Sequence, residues 1–432
     1  MKILLVKPYW LYPYNLGEDT YNRIWPPLAL LNCAALLEKC GHNVKILDAH
    51  AQRIKPERMT NYVKGYNKIF IASSSLDRWQ CPNIEINYFI ETVRKIRKLT
   101  DQVYVIGYHG TVEPERILDL TGAKAVIRGE PEYTVSEICQ NNNLSEIAGV
   151  SFKVNGKIKS TPQRAPFDLK NLPLPSFHLL DFKKYFYEIL GRSFALFEIN
   201  RGCKFSCRFC NKVMYGEGLR TKSKEQVIEE VRLAVEKYNV KTGYFIDLDF
   251  LSNSEIVQAL CEYLIEKKYK FKWTCQTRPD LVNREILEKM KKAGCRLIHM
   301  GIETGLQELS DSINKQISIN KVKQAVKLCK KIGIRTLIFY MFGLPGETEE
   351  DREKTLCFIK ELDADFISLH KLTPYKGTDI WKDRLRLNLD LDKFIGKAYA
   401  QYYLRPTYLF RLNLPIALGG LRLFFRRMVT LR

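Results

Sequence analysis

Twice along this chain, short apolar runs alternate with helical patterns, and that alternation narrows the fold more than any other feature. The first series holds the runs 3–6, 44–47, 69–72, 103–106 and 125–127, with helix-like stretches such as 28–40 and 84–99 between them. Strands that are apolar throughout, rather than alternately, need both faces covered, which predicts a parallel sheet between two helical layers. Five such strands predict a flavodoxin-like, doubly wound domain over residues 1–142, with its ligand site at the carboxyl ends of the strands. Ser75, Gly107, His109, Gly129 and Glu130 fall at those ends. The second series spans 193–380. Its strands are expected at 194–199, 243–247, 271–275, 297–300, 336–342 and 366–370, with helices at 224–238, 254–268, 284–293, 320–332 and 350–362. Six such units predict a full or partial β/α barrel, whose chemistry sits at the carboxyl ends of its strands.

Between the two lies a segment, 143–192, read as a connector. Asn155-Gly156 between short apolar runs signals a hairpin, and Pro162, Pro166, Pro173 and Pro175 interrupt regular structure.

Directly after the first barrel strand comes Cys203-Lys204-Phe205-Ser206-Cys207-Arg208-Phe209-Cys210. Three cysteines at C-x3-C-x2-C can ligate three corners of a [4Fe–4S] cube from one tight loop, leaving one iron open for a substrate. A structural zinc would want a fourth ligand at finger-like spacing, and the nearest histidine is His178. The other nine cysteines are scattered, with no leader-like segment ahead of them, so a disulfide framework is not expected. They read as core residues of a protein in a reducing, cytoplasmic compartment.

The cysteine loop resembles that of the radical S-adenosylmethionine superfamily, and the chain as a whole resembles the subgroup with an N-terminal cobalamin-binding domain. The similarity extends to Trp25-Pro26-Pro27-Leu28, Gly107-Tyr108-His109-Gly110 and Arg128-Gly129-Glu130-Pro131-Glu132 in the first series. In the second it extends to Gly301-Ile302-Glu303-Thr304-Gly305, Gly343-Leu344-Pro345-Gly346-Glu347 and Thr373-Pro374-Tyr375. The resemblance implies that the open iron chelates S-adenosylmethionine. An electron, from a donor such as ferredoxin or flavodoxin, then splits the sulfonium to a 5′-deoxyadenosyl radical. It further implies that Phe209 lies near the adenine, that Gly301 and Glu303 belong to the ribose-contacting segment, and that Asp247 meets the methionine end. Leu248 interrupts the usual acidic pair, which leaves Asp249 the weaker candidate. Arg278 has two open readings: a carboxylate-binding fork or an ordinary surface salt bridge. Cobalamin is expected in the first domain. Asp48-Ala49-His50 matches part of a lower-ligand motif, but Arg53 stands where that motif has glycine, so His50 reads as a loop residue.

The net charge of +21 calls for an anionic partner. From Lys393 to Arg432 there are eight Lys or Arg and no acid, interleaved with Tyr, Phe and Leu. The favoured reading of this region, 381–432, is an interfacial helix on anionic lipid at the cytoplasmic face of the membrane; a helical cap on the barrel and RNA binding compete with it. Methyl transfer to an unactivated carbon of a lipid-like substrate is therefore the leading expectation. Cyclisation of the anaerobic porphyrin-cyclase type is the alternative, and a non-catalytic cobalamin- or redox-responsive binding protein is the alternative of another class. No added nucleic-acid-binding domain is evident.

Overall fold

The computed structural model describes residues 1–10, 24–74, 82–383 and 391–409. Its first sheet contains β1 (Lys2–Lys7), β2 (Asn43–Asp48), β3 (Lys68–Ala72), β4 (Val103–Ile106), β5 (Ala125–Ile127), β6 (Val150–Val154) and β7 (Lys157–Ser160), in the order β2-β1-β3-β4-β5-β6-β7. The first five are parallel, in the 2-1-3-4-5 order of a flavodoxin-like sheet. In β1, Ile3 and Leu5 pack toward α1 (Leu28–Lys39), whereas Leu4 and Val6 pack toward α2 (Asn87–Arg97). Both faces are covered, which is why the strand reads as an unbroken apolar run. The helices α3 (Pro114–Thr121) and α4 (Glu132–Gln140) and a single helical turn at Tyr108–Val112 add to this domain.

The 150–160 hairpin forms where expected, with Asn155 and Gly156 both at positive φ (50° and 77°), the geometry that two-residue hairpin turns favour. It is not a free connector, however. β6 pairs antiparallel with β5 and extends the first sheet, covering an edge that would otherwise expose unpaired backbone groups.

The second sheet is built from β8 (Phe194–Phe197), β11 (Thr242–Phe245), β12 (Lys272–Thr277), β13 (Cys295–Glu303), β14 (Arg335–Phe342) and β15 (Phe366–Lys371), all parallel and in that order. A small antiparallel ribbon, β9 (Asn200–Gly202) with β10 (Leu219–Thr221), follows β8. Helices α5 (Lys224–Glu236), α6 (Ser254–Lys267), α7 (Arg284–Lys292), α8 (Ile319–Ile332) and α9 (Glu349–Leu362) cover the outside. No pairing joins β8 to β15 among the described residues, so the barrel is partial.

The free edge of β15 is covered by α10 (Leu391–Tyr403). The Tyr399 hydroxyl accepts from the Leu369 amide at 2.8 Å, and that of Tyr403 from the Ile367 amide at 3.0 Å. Tyr402 and Tyr408 donate to the carbonyls of Ala364 and Asp365. Four residues of helix advance about 6 Å and two of strand about 6.6 Å, so tyrosines at i and i+4 meet alternate edge residues. Residues 391–409 thus take the competing reading of this region, a helical cap on the barrel; residues 410–432 lie outside the described part. Among the described residues no helix is long and apolar enough to cross a membrane.

Arg201 fastens the two domains together. It is buried and pairs with Glu198 at 2.7 Å, Glu132 at 2.6 Å and Glu130 at 3.1 Å, while Arg220 reaches Glu130 at 2.7 Å. Glu132 keeps one buried oxygen without a partner, and burial raises its pKa.

Candidate functional site

The cysteine loop hangs from the β9–β10 ribbon at the carboxyl end of β8. Gly202 has φ +82°, and a Cβ there would sit 2.1 Å from the Gly218 carbonyl oxygen. Only glycine lets the ribbon close so tightly. The Cys203 amide donates to that same carbonyl at 3.0 Å, and the Cys210 amide donates to the Cys207 carbonyl at 3.1 Å. All three cysteines are partly exposed. Burial, and then the charge of the neighbouring thiols, pushes the Cys210 thiol up to about 12; burial also raises Cys203. Both shifts favour the thiol over the thiolate, and a metal group that binds the Cys203 and Cys210 thiolates must displace their protons. Among the described residues no three His, Cys, Asp or Glu side chains converge as a single ion requires. Ligands to separate corners of a cube have no need to converge in that way.

A second segment grips this loop from the barrel side. The Arg208 amide donates to Ile313 at 3.0 Å, Arg208 Nη1 to Ser312 at 3.0 Å, and Asn314 Nδ2 to the Ser206 carbonyl at 2.9 Å. Arg278 braces the same segment. Its guanidinium lies 3.7 Å from the Phe205 ring centre, donates to the carbonyls of Lys315 (2.8 Å) and Gln316 (3.0 Å), and forms a two-point pair with Asp280 at 3.0 and 3.1 Å. Arg278 thus binds a carboxylate of the chain itself, in a salt bridge. It is buried, not on the surface, and its fork is spent on Asp280.

Between Asn314 and Gln316, both at φ 52°, Lys315 turns inward. Its Nζ is 2.9 Å from Glu303 Oε1 and 5.5 Å from the Phe209 ring centre. Glu303 sits at a break in the β13–β14 register with φ +72°. A Cβ on Gly301 would lie 2.5 Å from Glu303 Oε1 and 3.1 Å from Lys315 Nζ, so glycine leaves the pair its room. Gly301, Glu303 and Phe209 thus come together, joined by Lys315, which the sequence reading passed over. Its signal is slight, a polar Asn-Lys-Gln run before a helix.

Asp247, buried at the end of β11, accepts the backbone amides of Ile199 and Asn200 on Oδ1, tying that strand to the start of the cysteine loop. Burial raises its pKa to about 7. Its Oδ2 and both side-chain atoms of Asn200 are buried without a partner. Unsatisfied buried polar atoms are rare and costly, and here they cluster beside the three cysteines. That arrangement fits a polar cofactor bound at the barrel mouth. Asp249 is used structurally: it accepts from Thr277 at 2.6 Å and Ser252 at 2.7 Å.

The first-sheet candidates divide. Gly107 (φ 105°, ψ −170°) ends β4 in a conformation open to glycine, and Tyr108 beyond it donates to the Lys376 carbonyl at 2.9 Å and packs on Tyr375. The carboxyl ends of both sheets therefore face one another. His109 is buried, with Nε2 2.8 Å from the Asn83 carbonyl and Nδ1 3.3 Å from Ser73 Oγ. The carbonyl requires the proton on Nε2, so both nitrogens are engaged. Gly129 has φ +76° and lies against Gln163, and its amide donates to Thr111. Glu130 belongs to the Arg201 network and is not free to meet a ligand. His50 is a loop residue as expected, yet buried, with neither ring nitrogen partnered. Ser75 lies outside the described residues.

The radical SAM superfamily model matches residues 197–359 and the B12 binding domain model matches residues 18–139. An uncharacterised methyltransferase, PH0819, of Pyrococcus horikoshii is 30% identical over 95% of this chain and 94% of its own. The chain belongs to the radical S-adenosylmethionine superfamily. Within it, the chain carries the B12-binding domain ahead of the barrel, and the cofactors of such proteins are a [4Fe–4S] cluster, S-adenosylmethionine and cobalamin. The anaerobic magnesium-protoporphyrin IX monomethyl ester cyclase of Rubrivivax gelatinosus is 25% identical over 89% of this chain and 70% of its own. Among solved structures, the radical S-adenosylmethionine methyltransferase TsrM from Kitasatospora setae, solved with cobalamin and a [4Fe–4S] cluster, superposes with a TM-score of 0.70 at 18% identity. The match covers 88% of this chain and 76% of that one. OxsB, solved with aqua-cobalamin and S-adenosylmethionine, gives 0.67 at 18%, over 92% and 56%. At such identities these two establish the shared fold.

Proposed function

We propose that this radical SAM enzyme transfers a methyl group to an unactivated carbon of a hydrophobic substrate, using cobalamin. The observation that carries the site assignment is the meeting of Cys203, Cys207 and Cys210 with unpartnered Asp247 Oδ2 and the Glu303–Lys315 pair at one barrel mouth. Cys203, Cys207 and Cys210 hold the cluster. Asp247 Oδ2 accepts from the methionine ammonium, Glu303 holds the ribose, and Phe209 flanks the adenine. When bound, the cofactors supply the electron, the radical and the methyl carrier; the protein supplies placement and exclusion of water.

The substrate class draws on the inner face of the barrel. In β14, Ile338, Tyr340 and Phe342 are buried toward the helices, so Leu337, Phe339 and Met341, each half-exposed, face inward. Phe366, Ser368 and His370 of β15 continue that surface, and His299 and His370 both lie against the Phe339 ring, so apolar side chains are mixed there with imidazoles. A relative 25% identical over 83% of this chain, from Methylococcus capsulatus, is named hopanoid C-3 methylase. Similarity to the porphyrin ester cyclases favours cyclisation as the second reading.

The test is an anaerobic incubation of reconstituted protein with methyl-deuterated S-adenosylmethionine, cobalamin and a host lipid extract. Label in an extracted lipid is the expected result. Deoxyadenosine without transferred label would establish the cyclase-type reading, and no deoxyadenosine at all would refute both.

A further inference from the structure

Among the described residues, Lys315 is the buried ammonium that the fold delivers to the cysteine loop at a visible conformational cost. Two non-glycine residues in the left-handed region flank it, and a third, Glu303, meets it. Each such residue is unfavourable in isolation and persists when its surroundings demand it. Here those surroundings are the Asn314 and Arg208 contacts to the loop and the Arg278 brace. Together they place a positive charge above Phe209, the residue between Cys207 and Cys210. Burial opposes that charge, yet the Glu303 carboxylate and the Cys207 thiol beside it hold the lysine pKa above its ordinary value. Two other cations lie near the loop: Arg278, which is matched by Asp280, and Lys212, which is only part-buried and whose Nζ donates to the Phe205 carbonyl at 2.8 Å.

Three thiolates make a cluster–protein unit anionic, and reduction adds one more negative charge. A cation fixed in a partly dry site stabilises the reduced state more than the oxidised one, and net charge is among the factors that set cluster potentials. We propose that Lys315 is the counter-charge that holds the reduction potential of the Cys203–Cys207–Cys210 cluster up, while Glu303 partly offsets it. The proposal rests on those three cysteines being the cluster ligands.

The experiment is an EPR-monitored dithionite titration of the reconstituted full chain without S-adenosylmethionine. It compares wild type with Lys315→Met, Lys315→Arg, Glu303→Gln and the double variant Lys315→Met/Glu303→Gln. Lys315→Met should disfavour reduction about tenfold, a fall of about 59 mV for one electron, and Lys315→Arg should stay near wild type. Glu303→Gln should shift the potential upward, and the double variant should fall between the two single ones. A potential unmoved in cluster-loaded Lys315→Met, or shifts of the same sign in Lys315→Met and Glu303→Gln, would overturn the proposal in favour of a packing role. If Lys315→Met does not fold, Glu303→Gln and the double variant, which leaves neither charge buried alone, decide the question. Iron content of Cys207→Ala against wild type tests the ligand assignment separately: full iron in Cys207→Ala would refute that assignment, and this proposal with it.

Discussion

Replacing Tyr399 and Tyr403 by phenylalanine together isolates the edge cap of the barrel. The substitutions keep the ring packing, in which the two rings stack 6.2 Å apart and 7° from parallel. They remove the acceptors of the Leu369 and Ile367 amides, and with them the donors 3.5 and 3.3 Å from the same residues' carbonyls. Leu369 and Ile367 are 3% and 5% exposed, so water reaches their backbone poorly. A buried donor left unsatisfied costs about 1–3 kcal/mol. Tyr403 is partly exposed and its site admits some solvent, so the pair should cost about 2–4 kcal/mol in all. Urea unfolding should show a lower midpoint at unchanged slope. Native-state hydrogen exchange should show the 367 and 369 amides losing protection by at least tenfold while β1 amides keep theirs. A loss under about 0.5 kcal/mol with unchanged exchange at both amides would refute the claim that these hydroxyls satisfy the strand edge.

Other perturbations probe the cysteine loop and the domain junction. Gly202→Ala should abolish iron incorporation on reconstitution, because its methyl group would meet the Gly218 carbonyl; circular dichroism should show both sheets intact. Arg201→Met takes from buried Glu132 its cation, while Glu130 keeps Arg220 and Glu198 keeps Lys222 at 4.0 Å, and should cost about 3–5 kcal/mol in denaturant unfolding. For Asp247 the folded pKa, about 7, lies above the ordinary 3.8, so the folded state retains a proton that the unfolded chain releases. Its contribution is complete below about pH 4 and is lost as pH rises toward 7, at about 1.4 kcal/mol per unit. Asp247→Asn should flatten that slope in the cluster-free protein, leaving the share of Glu347, which burial also raises to about 7.

What the sequence discloses depends on whether a feature is set locally or by a distant partner. The barrel strands lie within a few residues of expectation because a strand buried on both faces must be apolar throughout. The cysteine loop was legible because its ligands sit on one short segment. The hairpin at 155–156 was equally legible, but its partner β5 was not, since the turn residues record the turn alone. Likewise an apolar-aromatic stripe with a basic face suits a lipid surface and a sheet edge equally well. Only the match of the spacing between Tyr399 and Tyr403 to alternate residues of β15 separates them, and that match exists only once the barrel is folded. Arg278 and Glu130 show the same limit from the other side. Each occupies a strand-end position from which a ligand could be bound; Glu130 is paired with Arg201, remote in sequence, and Arg278 with nearby Asp280 and the remote Lys315 carbonyl. The two cases have different consequences. Glu130 turns its carboxylate to Arg201 and Arg220 and so helps to join the domains. Arg278, by fixing the backbone of Lys315, exchanges a direct contact for control over which charge faces the cysteines, so the functional weight of that strand end passes to a residue carried on no strand at all.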